Sequence, residues 1–198
     1  MVNDTTTLNG ALMELGEVMA SNLTLRGITS NASEGLTTLA KKINIEVYDK
    51  GVTGDKSDRW VIGSAVTETV DNTGTTLSVV SATVSSGYNV STIPLHNDFE
   101  AIVYIENNGT GNTSRARFGV TDGTNRSFIQ STTHYFKFSR INGVYSGAVS
   151  TDGESWMNQT LQSDTASGTS DVYCIIGIYA SSTTVRTMKY KDLRIYKK

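Results

Sequence analysis

The chain has 198 residues, of which 37% are apolar and 18% are charged, and its formal net charge is −2. This balance gives no electrostatic reason to expect a nucleic-acid partner or an anionic membrane surface. No apolar run approaches the roughly 20 residues of a spanning helix, and Met1 is not followed by a signal-peptide pattern. We therefore expect the protein to be made in the cytoplasm and not to insert into a membrane.

Residues 1–45 carry helical periodicity, unlike the rest of the chain. A narrow apolar stripe recurs at helical spacing and consists of Leu8, Leu12, Leu15 and Met19. A second short helix is predicted to begin with Ser33 as its N-cap. Two helices this short cannot bury their apolar faces alone, so they must pack on the following domain, on each other or on copies of themselves. We expect oligomerisation or docking to another chain through the stripe, ahead of packing within the chain.

From about residue 46 onwards the apolar residues alternate with the period of a strand. Strand-like runs separated by polar turns recur at Trp60–Val66, Thr76–Val84, Phe99–Glu106, Arg115–Thr121, Ser127–Ser131, Tyr135–Ile141, Val144–Ser150, Trp156–Leu161, Val172–Ala180 and Thr187–Tyr196. Pro94, the only proline, is expected in a connection. The spacing predicts a mainly β fold, an antiparallel β-sandwich or jelly roll over residues 46–198, preceded by a short α-helical segment over residues 1–45.

Two turns have clear sequence signals. Asn142-Gly143 lies between alternating apolar runs, which predicts a hairpin because both central residues of a type I′ turn need a positive φ. The run Ser150–Trp156 is close to the Asp-box turn of sialidases and other β proteins, in which Asp and Ser brace the turn and the aromatic packs beneath it.

Residues 58–198 resemble the concanavalin A-like (laminin-G-like) jelly-roll superfamily. Four segments carry the resemblance: Phe99–Ile105, Arg115–Val120, Tyr135–Trp156 and Met188–Tyr196. Residues 5–43 are similar to attachment segments of tailed-phage tail or fibre proteins. Because lectins, glycanases and adhesion modules share such a sandwich, this resemblance supports the fold more than any one function.

Together the two resemblances imply a phage-like virion appendage of tail-fibre or receptor-binding type, whose sandwich recognises cell-surface carbohydrate. The alternative is a purely structural virion component, such as a head fibre, decoration or baseplate protein. The same resemblance implies a location in the virion, a homo-oligomer with a trimer favoured, and contacts with other virion proteins through the N-terminal helices.

Aromatic residues are the candidate ligand contacts, because Tyr and Trp combine a large apolar area with one polar group. Trp156 offers a platform for a sugar ring, and further aromatics that can line a groove are Trp60, Tyr88, Tyr145 and Tyr179. For each of them taken singly, partial burial within the sheet is the competing interpretation.

The sequence shows no catalytic signature. Retaining glycanases need two carboxyl groups about 5 Å apart, and the paired-carboxylate phrase of this superfamily does not occur. We therefore expect no enzyme activity, no cofactor and no metal at His96 or His134. The loops at Asp71-Asn72, Asn107–Gly109 and Asp122–Asn125 leave Ca²⁺ as a weak alternative to plain turns. Cys174, in an apolar run, is expected to be an inert core residue.

Overall fold

A computed structural model of the chain describes residues 4–25, 30–43, 45–54, 60–79, 86–106, 114–163, 166, 168–180 and 186–198. It begins with α1 (Asp4–Leu25), a 3₁₀ turn (Ala32–Glu34) and α2 (Leu36–Ile43). The strands that follow are β1 (Ile45–Asp49), β2 (Trp60–Ile62), β3 (Val66–Asp71), β4 (Gly74–Val79), β5 (Ser86–Leu95), β6 (Phe99–Glu106), β7 (Ser114–Thr121), β8 (Arg126–Ser131), β9 (Tyr135–Ile141), β10 (Val144–Ser150), β11 (Met157–Gln159), β12 (Gln162–Ser163), β13 (Val172–Ala180) and β14 (Thr187–Lys197).

The strands form two antiparallel sheets. The first sheet has eight strands in the order β11-β10-β9-β6-β14-β4-β3, and β1 also pairs with β14. The second sheet has six strands in the order β12-β8-β7-β13-β5-β2. Strands far apart in sequence are neighbours, such as β6 with β14 and β5 with β13. This topology confirms the predicted fold class, a mainly β jelly-roll sandwich preceded by a helical segment.

One apolar core lies between the two sheets. On β6 the buried positions alternate with less buried ones, as expected of a strand with one face on the core. Both sheets contribute to the same cluster, which includes Phe99, Val103, Phe118, Phe136, Phe138, Ile176, Ile178, Tyr190 and Ile195. Cys174 belongs to this cluster, and its burial raises the pKa of the thiol. The prediction that Cys174 is a core residue is confirmed.

The helical segment packs within the chain along only part of its length. Ala20 and Leu23 of α1 form a small buried cluster with Leu39 of α2, and Tyr196 of β14 packs against this cluster. Three of the oligomerisation candidates are exposed: Leu8 at 58%, Leu12 at 42% and Leu15 at 48%. The fourth candidate, Met19, is partly buried against the same cluster. The end of α1 nearest the sandwich is therefore anchored, and its beginning presents apolar side chains to solvent.

Two details of the chain path differ from the sequence prediction. Ser33 lies inside the 3₁₀ turn that precedes α2 and is not the N-cap of that helix. Asn31 caps the 3₁₀ turn, and its side-chain oxygen accepts from the amide of Ser33 at 2.9 Å. Pro94 lies within β5 and not in a connection. It is accommodated because β2 pairs only with residues 89–91 of β5, and because the pairing of β5 with β13 shifts register nearby. Among the described residues, no helix is long and apolar enough to cross a bilayer.

A hairpin and a bulge shape the first sheet. The hairpin between β9 and β10 turns at Asn142 and Gly143, whose φ angles are 51° and 76°, as predicted for a type I′ turn. The bulge in β14 is centred on Asp192, whose φ is 54°, and it shifts the register between Lys191 and Arg194. Because of this shift, Tyr190 and Leu193 are both buried although three positions apart.

Candidate functional site

A groove of ≈ 640 Å³ crosses the outer face of the first sheet, on the side opposite the core. Strands β6, β9 and β14 and the turn between β10 and β11 form its walls. The side chains that define its chemistry are Tyr104, Tyr135, Trp156, Lys191, Arg194 and Tyr196. The β14 bulge helps to place Lys191 and Arg194 on this face together. The groove combines aromatic surfaces with charged groups in one concave site.

A second cavity of ≈ 230 Å³ adjoins the groove on the same face. Its lining is polar and includes Glu100, Lys137, Ser139, Ser146 and Asn158. Trp156 lines both cavities, so its ring separates two compartments along one sheet face. The ammonium nitrogen of Lys137 lies 4.4 Å from the centroid of the Trp156 ring, a cation–π contact that fixes the ring from one side.

The aromatic side chains in the groove contact one another. Tyr104 and Tyr135 meet edge to face, with ring centroids 5.1 Å apart, and His134 stacks on Tyr104 at 5.7 Å. The ammonium nitrogen of Lys191 lies 5.0 Å from the centroid of the Tyr104 ring. Burial, with a further contribution from the charge of Glu106, raises the pKa of Tyr104. Tyr104 therefore offers a neutral hydroxyl group to the groove at physiological pH.

The turn that carries Trp156 is braced by its own side chains. Asp152 accepts hydrogen bonds at 2.8 Å from the amides of Glu154 and Ser155, and at 2.7 Å from the hydroxyl of Ser150. These hydrogen bonds, that from the Ser155 amide first, hold the pKa of Asp152 well below its ordinary value. Ser150 and Asp152 thus fix the turn as the Asp-box likeness predicted, while Trp156 faces the groove.

The five aromatic residues proposed from the sequence do not form one site. Trp156 lines the groove, but Trp60 packs against the core and donates Nε1–H to buried Asp49 at 2.6 Å. Tyr145 lies against the core, with its ring 5.6 Å from that of Phe138. The remaining two candidates, Tyr88 and Tyr179, contact arginines on the second sheet. The groove itself therefore contains one of the five.

The other groove residues could have been found by strand alternation. Phe99, Val103 and Ile105 mark the buried face of β6, which leaves Tyr104 on the opposite face. The same reasoning places Tyr135 and Lys137 outward on β9. Alternation does not show, however, that β6, β9 and β14 are neighbours, because β14 is distant in sequence. Only this pairing brings the three outward faces into one groove.

No metal or cofactor site is assigned. Across the described parts of the chain, no three His, Cys, Asp or Glu side chains are grouped as metal ligands. His96 pairs with Asp171 at 2.6 Å on the surface. Asp71 and Asp122 accept hydrogen bonds from amides of their own turns, as in plain turns. The third loop considered for Ca²⁺, Asn107–Gly109, lies outside the described residues.

Comparison with known proteins gives structural matches only. No protein-family model matches the chain, and no curated protein matches it in sequence. A GH43 glycoside hydrolase engineered for endo-xylanase and exo-arabinofuranosidase activity is 12% identical, with a TM-score of 0.51 over 77% of this chain and 40% of that one. The Crh5 transglycosylase in complex with NAG is 15% identical, with a TM-score of 0.49 over 76% and 83%. The exoplasmic/lumenal domain of VIP36 in its Ca²⁺/Man2-bound form is 11% identical, with a TM-score of 0.49 over 75% and 85%.

These matches correct two predictions. The predicted virion appendage, in both its receptor-binding and its purely structural form, is wrong, because a similar structure with a TM-score above 0.5 is a glycoside hydrolase and not a phage tail protein. The phage likeness of residues 5–43 rested on a short helical pattern that a helix pair packed on a sheet also requires. The prediction that the protein is not an enzyme is also contradicted, because a glycoside hydrolase shares this fold. At these identities the likeness establishes the architecture: the chain folds as a concanavalin-like, jelly-roll β-sandwich.

Proposed function

We propose that the protein binds carbohydrate in the groove on the outer face of its first sheet. The observation that carries this proposal is the position of Trp156 between two adjoining cavities on one face. An aromatic ring between two polar compartments suits a saccharide chain, whose rings have apolar faces and hydroxyl edges. The proposed ligand is a glycan of at least two residues that passes over Trp156.

The groove supplies hydrogen-bonding groups on both sides of the ring. Lys191 and Arg194 line the larger compartment, and the smaller compartment offers Ser139, Ser146 and Asn158. Donors and acceptors of this kind bind hydroxyl groups, and the aromatic rings supply most of the contact area. Ring contact and peripheral hydrogen bonds would therefore act together.

The shared architecture supports the same class of ligand. One structural neighbour is described in complex with NAG and another in a Man2-bound form. We propose that residues 58–198 belong to the concanavalin A-like superfamily that they resemble, with the groove as their glycan site. The groove is also lined by three carboxylates, Asp152, Glu154 and Asp192. Whether the protein cleaves the glycan that it binds is therefore tested together with binding.

The test is calorimetric titration of the full chain with neutral oligosaccharides derived from xylan, mannan, β-glucan and chitin. We expect one class to bind, and Trp156→Ala to weaken that binding by roughly tenfold or more. Met157→Ala is the matched control, because Met157 is an exposed apolar neighbour that does not line either cavity. Absence of binding to every glycan, or equal loss in both variants, would overturn the proposal.

Any glycan that binds is then incubated with the protein and assayed for new reducing ends. Release that depends on the groove carboxylates would make the site catalytic, and binding without release would make it a recognition site. Both outcomes require the groove to be the glycan site, so Trp156→Ala must weaken whichever activity is found.

A further inference from the structure

The outer face of the second sheet carries a cluster of arginines and aromatic rings. Its strands contain no Asp, Glu or Lys among the described residues, and their charged side chains are Arg115, Arg117 and Arg126. This is a concentration of positive charge in a chain whose net charge is −2. We use the name arginine–aromatic patch for six residues on this face: Tyr88, Arg115, Arg117, Arg126, Phe128 and Tyr179.

Aromatic rings hold two of these arginines in place. The guanidinium carbon of Arg117 lies 4.5 Å from the ring centroid of Tyr179 and 4.6 Å from that of Phe128, so it is sandwiched between them. Its Nη1 donates to the hydroxyl of Tyr88, and its Nε donates to Gln130 at 3.3 Å. The guanidinium carbon of Arg126 lies 4.9 Å from the Tyr88 ring centroid. Both arginines are thus oriented by neutral groups.

Two glycines make this arrangement possible. A Cβ atom at Gly177 would lie 2.3 Å from Cδ1 of Tyr88, so the tyrosine ring crosses β13 where that strand has no side chain. At Gly119 a Cβ atom would lie 2.8 Å from the Cβ of Phe128. The rings therefore lie close to the sheet, and the guanidinium groups can stack on them. The position of the patch therefore depends on the backbone of this sheet and on these two glycines.

We propose that the arginine–aromatic patch binds an acidic polysaccharide, whose sulfate or carboxylate groups are received by Arg115, Arg117 and Arg126. A guanidinium group binds such anions through a planar pair of N–H donors. Single-stranded nucleic acid and acidic peptides fit less well, because base stacking and apolar anchors need free aromatic faces. Here guanidinium groups already cover faces of Tyr88, Phe128 and Tyr179. This surface is separate from the Trp156 groove and does not depend on it.

The test measures binding of the full chain to heparin, polygalacturonate, neutral dextran and oligo-dT at low and at physiological salt. We expect one acidic polysaccharide to bind in a salt-dependent manner, and neutral dextran not to bind. Arg115→Gln with Arg126→Gln should weaken binding by roughly tenfold, and Arg126→Lys by less, since lysine retains the charge and loses the planar donor pair. Arg115 and Arg126 are exposed, so the folded state should persist, which a thermal melt checks.

Two control variants and the oligo-dT probe can contradict the proposal. Lys197→Gln removes one positive charge from an exposed site on the first sheet and should leave binding unchanged. Trp156→Ala should also leave it unchanged; if it abolishes binding, the acidic chain occupies the groove and the proposal is overturned. Failure of both acidic polysaccharides to bind, or equally tight binding of oligo-dT, also overturns it. Neutral glycan binding in the groove is tested separately, by the titrations with neutral oligosaccharides.

Discussion

The guanidinium of Arg140 donates Nε–H to the backbone carbonyl of Asn97 at 2.8 Å. Its other nitrogens reach the carbonyls of Ser170 at 2.7 Å and Leu95 at 3.4 Å. Arg140 is 1% exposed, and Asn97 has a positive φ of 57°. One buried cation on β9 thus joins the end of β5, the turn that follows it and the segment before β13. The Arg140 side chain therefore links the first sheet, through β9, to the second sheet, through the end of β5.

We expect Arg140→Met to lower the free energy of unfolding by about 3 kcal/mol, because several buried carbonyls would lose their donor. Arg140→Lys should cost less, since a single ammonium group can still reach one of the carbonyls. Urea unfolding of both variants measures the difference. Equal stability of Arg140→Met and the unmodified protein would contradict this account.

Gly177→Ala should disturb the second sheet. Its Cβ atom would lie 2.3 Å from the Tyr88 ring and 2.6 Å from the carbonyl oxygen of Gly87, so the neighbouring strand must move. We expect a loss of about 1–3 kcal/mol, typical of overpacking. The matched control is Gly10→Ala in α1, where nothing lies within 4 Å of the added atom and a gain of about 0.5–1 kcal/mol is expected. Thermal melts that rank the two variants the other way would refute the packing argument.

Asp152→Asn should weaken the turn that carries Trp156 in a pH-dependent manner. The pKa of Asp152 is lower in the folded state than in the unfolded chain, so its stabilisation is present above the unfolded pKa. It is lost as the pH falls through the folded pKa. The variant should therefore be less stable than the unmodified protein at about pH 6, and the difference should shrink towards about pH 2 in urea titrations. Glu154→Gln is the matched control, because it removes a charge from the same turn without removing these hydrogen bonds.

Lys137→Gln tests whether the cation over Trp156 assists ligand binding. Loss of the ammonium group would free the indole ring to change its orientation, and affinity for the groove ligand should fall by roughly threefold. Lys137→Arg keeps a cation over the ring and should retain most of the affinity. Calorimetric titration measures both variants. Tighter binding by Lys137→Gln would show that the lysine instead covers the face that a sugar needs.

The exposed beginning of α1 predicts self-association. Leu8, Leu12 and Leu15 present apolar area on one helix, and such a patch is usually covered by a partner. We expect light scattering to give a mass larger than that of one chain, and Leu12→Glu with Leu15→Glu to reduce it to that of a monomer. The trimer favoured from the sequence resemblance stays a prediction that the same mass measurement tests. A monomeric mass for the unmodified chain would contradict the prediction.

The local patterns of this chain predicted much of its local structure. Strand alternation, the Asn142-Gly143 turn and the Asp152 turn depend on contacts between residues close in sequence, and each is present. The same reasoning failed at Pro94, because a strand with incomplete pairing on one side tolerates a proline that a fully paired strand excludes. It also placed Trp60 and Tyr145 among groove candidates, although both pack against the core.

The class of fold follows from the alternating apolar pattern alone, because each strand can bury one face only if two sheets stack. The sites, by contrast, depend on the tertiary structure. Tyr104, Tyr135 and Arg194 meet because β14 pairs with β6 and β6 with β9, and Arg117 meets Tyr88 across Gly177. The order of the strands in each sheet decides which side chains are neighbours. That order depends on pairing between strands distant in sequence, and local periodicity does not predict it.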